Sequence, residues 1–252
     1  MNGQLTIVGL GPGPEAWITP AADAAIAAAD TVLGYSQYVQ RLKPRVGQII
    51  EASDNREELA RAERALALAS SGMHVALVSG GDPGVFAMAA AVFEAVEKNP
   101  DAARDVDIRI EPGVTAMLAA AARIGAPLGH DFCAISLSDN LKPWATIERR
   151  LRLAAEADFV IALYNPASKA RPEQIRNAFA ILSTCRAPET LVIFARAIGR
   201  SDESIDVTTL AEAADVACDM RTLVIVGSAA TRMIHCGENR IWVYTPRSAR
   251  DD

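Results

Sequence analysis

The stretch HVALVSGGDPGVF, residues 74–86, decides how the rest of the chain is read: an apolar run, His74 to Ser79, meets three glycines, an aspartate and a proline. A short valine-rich run that stops at glycine is the pattern of a buried strand ending in a special turn. Asp82-Pro83-Gly84 then suits a helix start, with Asp82 as N-cap and Pro83 at the first helical position, where a missing N–H costs nothing. A helix from Val85 to Val96 is expected to follow. Strand, glycine turn and helix together form the repeating unit of an α/β sheet.

The same unit recurs on either side. Upstream, LTIVGL (5–10) runs into Gly9-Leu10-Gly11-Pro12-Gly13-Pro14, and Thr19 as N-cap with Pro20 at the first position opens an alanine-rich helix to Ala29. TVLG and QII read as strands around a Tyr35–Arg41 helix. From Asn55 to Ser70, Leu59, Ala62, Leu66 and Ala69 fall at three- and four-residue steps, an amphipathic helix that Gly72 ends. Downstream, the strand VDIRI leads to Glu111-Pro112-Gly113-Val114-Thr115-Ala116 and an alanine-rich helix to Arg123.

GAPLG, residues 125–129, is the first turn-rich interruption near mid-chain, and the domain boundary is expected there, giving domains 1–126 and 127–252. Beyond it come FCAISL, a helix from Pro143 to Ala155, DFVIALY, a helix after Pro172, TLVIFA, a short helix near Leu210, TLVIVG and RIWVYT. The second half thus has its own sheet, with its last strands antiparallel. The fold class is α/β, in two α/β domains.

The 252 residues are 50% hydrophobic and 22% charged, with a formal charge of −6, which argues against a nucleic-acid binder. MNGQLTIVGLG lacks the pattern of a signal peptide, and no apolar run approaches the ~20 residues of a membrane span, so a soluble, cytoplasmic protein is expected. Cys133, Cys185, Cys218 and Cys236 form no C-x-x-C pair, so reduced thiols are expected and no metal site.

Gly9 to Pro14 invites comparison with the dinucleotide fingerprint G-x-G-x-x-G, but Pro14 stands where the third glycine belongs and no acidic residue closes a second strand to hold a ribose. A phosphate site is disfavoured, and an uncharged contact with a nucleoside fits better. A tight turn without ligand is the plain alternative for any one of these motifs. Three glycine turns at strand ends favour a shared pocket, since glycines let a ligand approach the backbone, which capping alone does not require.

GLGPGP, GGDPGVF, EPGVTA, Tyr164-Asn165-Pro166 and LVIVG, in this order and across nearly the whole chain, resemble the tetrapyrrole methyltransferase family. Within it, GAPLGHDFCAISLSDNLKPW, DFVIALYNPASKAR and Asp219-Met220-Arg221-Thr222 are similar to the C17-methylating branch of corrin synthesis. Two positions depart from the pattern: Ser248-Ala249 follow YTPR where glycine and an aromatic residue are usual, and Ser228 follows Gly227 in place of asparagine.

The resemblance implies two α/β domains with an active cleft between them, a homodimer, S-adenosyl-L-methionine as methyl donor with S-adenosyl-L-homocysteine as product, and an anionic precorrin as substrate. Carried over by motif, the cofactor contacts are Pro12, Gly81, Asp82, Val85, Thr115, Ala116, Tyr164, Asn165 and Ala197. Candidate catalytic groups for the coupled ring contraction are Asp82, Ser136 and Asp139, with Glu111, His130 and Asp131 as further choices; each has a structural alternative as a cap, strand-end or linker residue. Lys142, Arg149, Arg150, Arg152, Lys169, Arg171, Arg196 and Arg200 could meet substrate carboxylates, with Lys169 and Arg171 preferred. Competing readings are another corrin methylase, a counterpart acting on a cobalt-containing substrate, a nucleotide-binding regulatory module and a catalytically silent dimeric scaffold.

Overall fold

The computed structural model describes residues 3–54, 57–168, 170–237 and 240–248. The backbone forms two compact units, Met1–Thr115 and Ala116–Asp252.

The first unit contains β1 (Gln4–Gly9), α1 (Pro20–Ala28), β2 (Thr31–Tyr35), α2 (Ser36–Val39), β3 (Ile49–Ser53), α3 (Glu58–Ser70), β4 (His74–Ser79), α4 (Met88–Lys98) and β5 (Asp107–Glu111). Its strands make one sheet in the order β3-β2-β4-β1-β5, parallel throughout. Alternation along each strand sends side chains to two covered faces. Leu5, Ile7, Leu33 and Leu77 pack with Ala62 and Leu66 of α3 and Val92 of α4. Val8, Val32, Ala76 and Val78 pack with Ala22 of α1 and Val39 of α2.

The local signals mostly act as expected. Thr19 caps α1, its side chain accepting from the Ala22 N–H at 3.1 Å, with Pro20 in the first position. The apolar stripe of α3 is buried at Ala62, Ala65, Leu66 and Ala69. One start differs: α4 begins at Met88, five residues after Pro83, and Asp82 does not cap it. Asp82 instead accepts from the Gly84 N–H at 2.8 Å, closing a local turn that holds residues 83–87 out of the helix.

The second unit contains α5 (Ala116–Ile124), β6 (Gly125–Ala126), β7 (Phe132–Ser136), α6 (Trp144–Glu156), β8 (Val160–Tyr164), α7 (Gln174–Leu182), β9 (Leu191–Arg196), β10 (Ser204–Thr209), β11 (Thr222–Val226), β12 (Arg232–Cys236) and β13 (Arg240–Tyr244). A mixed sheet runs β10-β9-β11-β8-β7, in which β7 and β8 are parallel and the other pairs antiparallel. A smaller sheet, β12-β13-β6, joins the antiparallel β12–β13 hairpin to the two-residue strand β6. The core lies between the mixed sheet and α6 and α7, with Phe179 and Phe194 edge-on at 5.9 Å.

The division between units falls before α5, not after it as the turn at 125–129 led us to expect, because α5 packs on β6, β11 and β13. Strands β10 and β12 went unread in the sequence. SIDVTT is only half-buried and RMIHC is exposed along its length, so neither carries the apolar run that marked the others. No helix among the described residues is long and apolar enough to cross a membrane.

Candidate functional site

In the first unit the three glycine turns lie side by side, because β4, β1 and β5 are neighbours and parallel and each turn leaves a carboxyl end. They interlock through backbone. The Leu10 N–H donates to Ser79 O at 2.9 Å and the Gly11 N–H to Gly81 O at 3.1 Å. Added to Gly113, a Cβ would stand 2.3 Å from Gly81 O and 2.9 Å from Gly9 Cα; added to Gly9, one would stand 2.6 Å from Gly113 N. Glycine is therefore required by close approach of main chain to main chain.

Asp82 ties two of the turns together: one carboxylate oxygen accepts from Gly84 and the other from the Gly113 N–H at 3.1 Å. That commitment gives Asp82 a scaffolding role. In the same unit, Val85 is half-buried, Thr115 is buried, and Gly81 takes φ +69°; Ala116, half-buried, opens the second unit.

The Leu10–Pro14 turn has an unusual donor set. The Leu10, Gly11 and Gly13 carbonyls all accept from the Arg41 guanidinium, at 3.0, 3.0 and 2.7 Å. The peptide nitrogens belonging to those carbonyls are Gly11, which is bonded to Gly81 O, and Pro12 and Pro14, which carry no hydrogen. These three peptide units therefore have no N–H to offer a phosphate, unlike a dinucleotide or P-loop cradle, whose amides face the anion. Half-buried Pro12 presents a hydrocarbon ring instead. An uncharged group fits these peptide units better than a phosphate.

In the second unit, β7, β8 and β9 run in one direction, so their carboxyl ends share an edge of the sheet. That edge gathers Ser136 at the end of β7 and Asp139 beyond it, Tyr164 and Asn165 at the end of β8, and Ala197 after β9. Buried Ser136 accepts from the Asn165 amide at 3.0 Å and from the Ser138 N–H at 3.3 Å. The Tyr164 hydroxyl accepts from the Met117 N–H at 3.1 Å, satisfying a donor in the first turn of α5.

Asp139 accepts from Gln174 at 3.3 Å and faces Arg171 at 3.6 Å, and the Arg171 side chain is only 14% exposed. Arg171 thus sits beside Asp139, while Lys169 lies outside the described residues. Lys142 is half-buried, and the remaining candidate cations are held by other groups or exposed. Arg196 is held by Asp219 and Asp202, Arg152 by Thr184 and Glu148, and Arg149 and Arg150 are exposed on α6. Asp131 pairs with His130, away from Ser136 in the chain.

Backbone strain marks the same places. Among the described residues, four non-glycine residues have positive φ: Phe86, Asp158, Asn165 and Ala197. A left-handed conformation costs an L-residue ~1–2 kcal/mol, and such strain collects at functional sites. Asn165 and Ala197 are expected cofactor contacts, and Phe86 ends the GGDPGVF motif. Asp219-Met220-Arg221-Thr222 builds the support for Ala197: the Arg221 carbonyl accepts its N–H at 2.9 Å, and Asp219 accepts from Arg196, Thr222 and the Arg221 N–H. Asp158 has another task, anchoring buried Arg186, which also donates to Phe159 O at 2.8 Å.

Two residues escaped the sequence reading. Arg41 holds the proline turn, and Tyr38 lies against Gly80, where a Cβ would come within 2.7 Å of its ring. Their three-residue spacing was visible, but nothing in it told a brace from a solvated arginine.

The profile described as Tetrapyrrole (Corrin/Porphyrin) Methylases matches residues 4–214. A protein of Sinorhizobium sp named Precorrin-3B C(17)-methyltransferase is 59% identical, with 98% of this chain and 97% of that one covered. The crystal structure of the methyltransferase CobJ matches with TM-score 0.91 at 52% identity, over 97% of this chain and all of that one. At 22% identity, a Thermus thermophilus uroporphyrin-III C-methyl transferase, solved in complex with S-adenyl homocysteine, shares the fold, with TM-score 0.67 over 89% of this chain and 97% of that one. The interlocked glycine turns, the sheet edge with left-handed Asn165 and Ala197, and these likenesses agree: the chain belongs to the tetrapyrrole (corrin/porphyrin) methylase family.

Proposed function

We propose that this chain transfers a methyl group from S-adenosylmethionine to C17 of precorrin-3B, with contraction of the macrocycle to precorrin-4, in cobalamin synthesis. The observation that carries this is the 59% identity, over nearly the full length of both chains, to a protein named for that reaction. Three peptide units of the Leu10–Pro14 turn support the choice of cofactor, since they offer no N–H to a phosphate and suit a nucleoside without one.

When bound, S-adenosylmethionine supplies an already activated methyl group, so the chain's task is largely to position. Pro12, Gly81, Asp82, Val85, Thr115, Ala116, Tyr164, Asn165 and Ala197 would hold it. Asp82 keeps two turns in register through Gly84 and Gly113, and Asn165 is fixed by Ser136. Arg171, 3.6 Å from Asp139, would pair with a substrate carboxylate, and Lys169 would add a second cation. Asp139 is our candidate to take a proton during contraction, directly or through water, with Ser136 as a hydrogen-bonding partner for that water or the substrate. A homodimer in the cytoplasm, working without a metal of its own, completes the reading.

Titration calorimetry with S-adenosylhomocysteine, NAD and ATP tests it. Stoichiometric, micromolar binding of S-adenosylhomocysteine alone is the expected result. Preference for NAD or ATP would return the glycine turns to a phosphate ligand and overturn the proposal.

A further inference from the structure

Residues 35–41 lie outside every glycine motif, yet they brace two of them. Tyr35 ends β2, Tyr38 lies in α2, and Arg41 follows one turn later. The Tyr38 ring sits edge-on to Tyr35 at 5.3 Å and against Gly80, where the absence of a Cβ makes room for it. Arg41, three residues on, gives its guanidinium to the carbonyls of Leu10, Gly11 and Gly13. One short segment therefore sets the position of both the 80–84 turn and the 10–14 turn.

We propose that Arg41 is a positioning residue for the nucleoside cofactor: by collecting three carbonyls on one cation, it fixes the peptide planes of Leu10–Pro14 and so the face that Pro12 presents. This rests on the reading that the turn contacts S-adenosylmethionine. Two prolines restrict φ at 12 and 14 and narrow ψ at Gly11 and Gly13, but the glycines' own φ stays open and admits more than one turn. Three converging carbonyls would repel one another without a cation among them. A guanidinium is suited to this because its planar fork presents several donors at fixed angles, whereas a lysine ammonium is a single point charge on a flexible stem.

The test compares Arg41→Met and Arg41→Lys with Gln48→Ala. Gln48 is a fitting control, because its amide also braces carbonyls of the first unit, Ile26 O at 2.8 Å and Ala29 O at 2.9 Å, but at the end of α1, away from the turn. Each variant is melted without ligand and titrated with S-adenosylhomocysteine, and the Michaelis constants for methyl donor and tetrapyrrole are measured separately. Arg41→Met should weaken S-adenosylhomocysteine binding by ~10-fold or more, since charge-assisted bonds count for more than neutral ones. Arg41→Lys should recover part of that loss. The donor constant should rise while the tetrapyrrole constant stays within ~2-fold, and Gln48→Ala should lower the melting temperature without moving the affinity.

Arg41→Met binding S-adenosylhomocysteine as tightly as wild type overturns the inference and leaves the proposed function standing. Equal losses in Gln48→Ala and Arg41→Met also overturn it, since the effect would then be one of general stability. If wild type itself fails to bind S-adenosylhomocysteine, both this inference and the proposed function fall. If Arg41→Met does not fold, Arg41→Lys decides: unchanged affinity sinks the inference, and a selective loss of donor affinity upholds it.

Discussion

Gly113→Ala should separate the interlock of the three turns from the ordinary tolerance of loops. Gly113 needs no positive φ, so alanine costs nothing in backbone conformation there, and the whole penalty is steric. The new Cβ would stand 2.3 Å from Gly81 O, roughly 1 Å inside ordinary contact, and 2.9 Å from the Cα and carbonyl carbon of Gly9. All three atoms are main chain, so no side chain can swing aside. Moving the β5 turn outward by that distance would break the Gly113 N–H bond to Asp82, 3.1 Å long at present, and strain the Gly11 to Gly81 bond beside it.

Overpacking costs ~1–3 kcal/mol and each lost bond ~0.5–1.5, giving a destabilisation of about 2–4 kcal/mol. Urea unfolding measures it, and calorimetry with S-adenosylhomocysteine should show affinity reduced by ~10-fold or more. Gly47→Ala supplies the contrast. At φ +83° with no atom within 4 Å of a Cβ, it carries only the ~1–2 kcal/mol of backbone strain and should leave affinity unchanged. A Gly113→Ala protein as stable as wild type, with the same affinity, would refute the reasoning.

Ala197→Gly should raise stability by ~0.5–1 kcal/mol in urea unfolding, because glycine relieves the φ of +52°; if the methyl group touches the cofactor, affinity falls at the same time. Asp202 is held at about 2, chiefly by the Arg221 hydrogen bond and then by Arg196, against ~3.9 in an unfolded chain. Its folded value is depressed, so its contribution is complete above pH ~4 and is lost as pH falls toward about 2; Asp202→Asn should flatten that part of a stability-versus-pH curve. Burial raises the Cys218 thiol to about 11 and raises Cys133 as well, while Cys236 is exposed. Mass spectrometry after iodoacetamide at pH 8 should therefore find Cys236 labelled first and Cys218 and Cys133 labelled only on unfolding. Asp158→Ala should cost ~3 kcal/mol, since it leaves the buried Arg186 guanidinium without its counter-charge, and half-exposed Asp158 places the loss at the low end for such pairs.

The first sheet was legible because parallel strands buried on both faces must be continuous apolar runs, and LTIVGL and HVALVS are. The mixed sheet was largely legible for the same reason: VIALY, LVIFAR and TLVIV announce themselves, whereas its edge strand SIDVTT, like RMIHC of the smaller sheet, looks like loop. The α4 start was misplaced because Asp82-Pro83-Gly84 satisfies a cap rule and a turn rule equally. Geometry chose the turn by sending the two Asp82 oxygens to Gly84 and Gly113. The place of α5 could not be read at all, since an alanine-rich helix between two sheets names neither as its partner.

Within the site, glycine spacing told that the turns were special, and the family resemblance told which ligand to expect. What joins the turns was beyond both: Gly9, Gly81 and Gly113 meet across 104 residues of sequence, and Arg41 reaches back to Leu10, Gly11 and Gly13 from outside any motif. Long-range main-chain contacts leave no local pattern.

The central claim is methyl transfer to one ring carbon, and the direct measurement is carbon NMR of precorrin-3B incubated with the protein and S-adenosylmethionine labelled with 13C in the methyl group. A single labelled methyl on C17 of a contracted macrocycle is the predicted outcome. Label at another carbon, or none with the cobalt-free substrate and full turnover with its cobalt-containing counterpart, would contradict the proposed reaction.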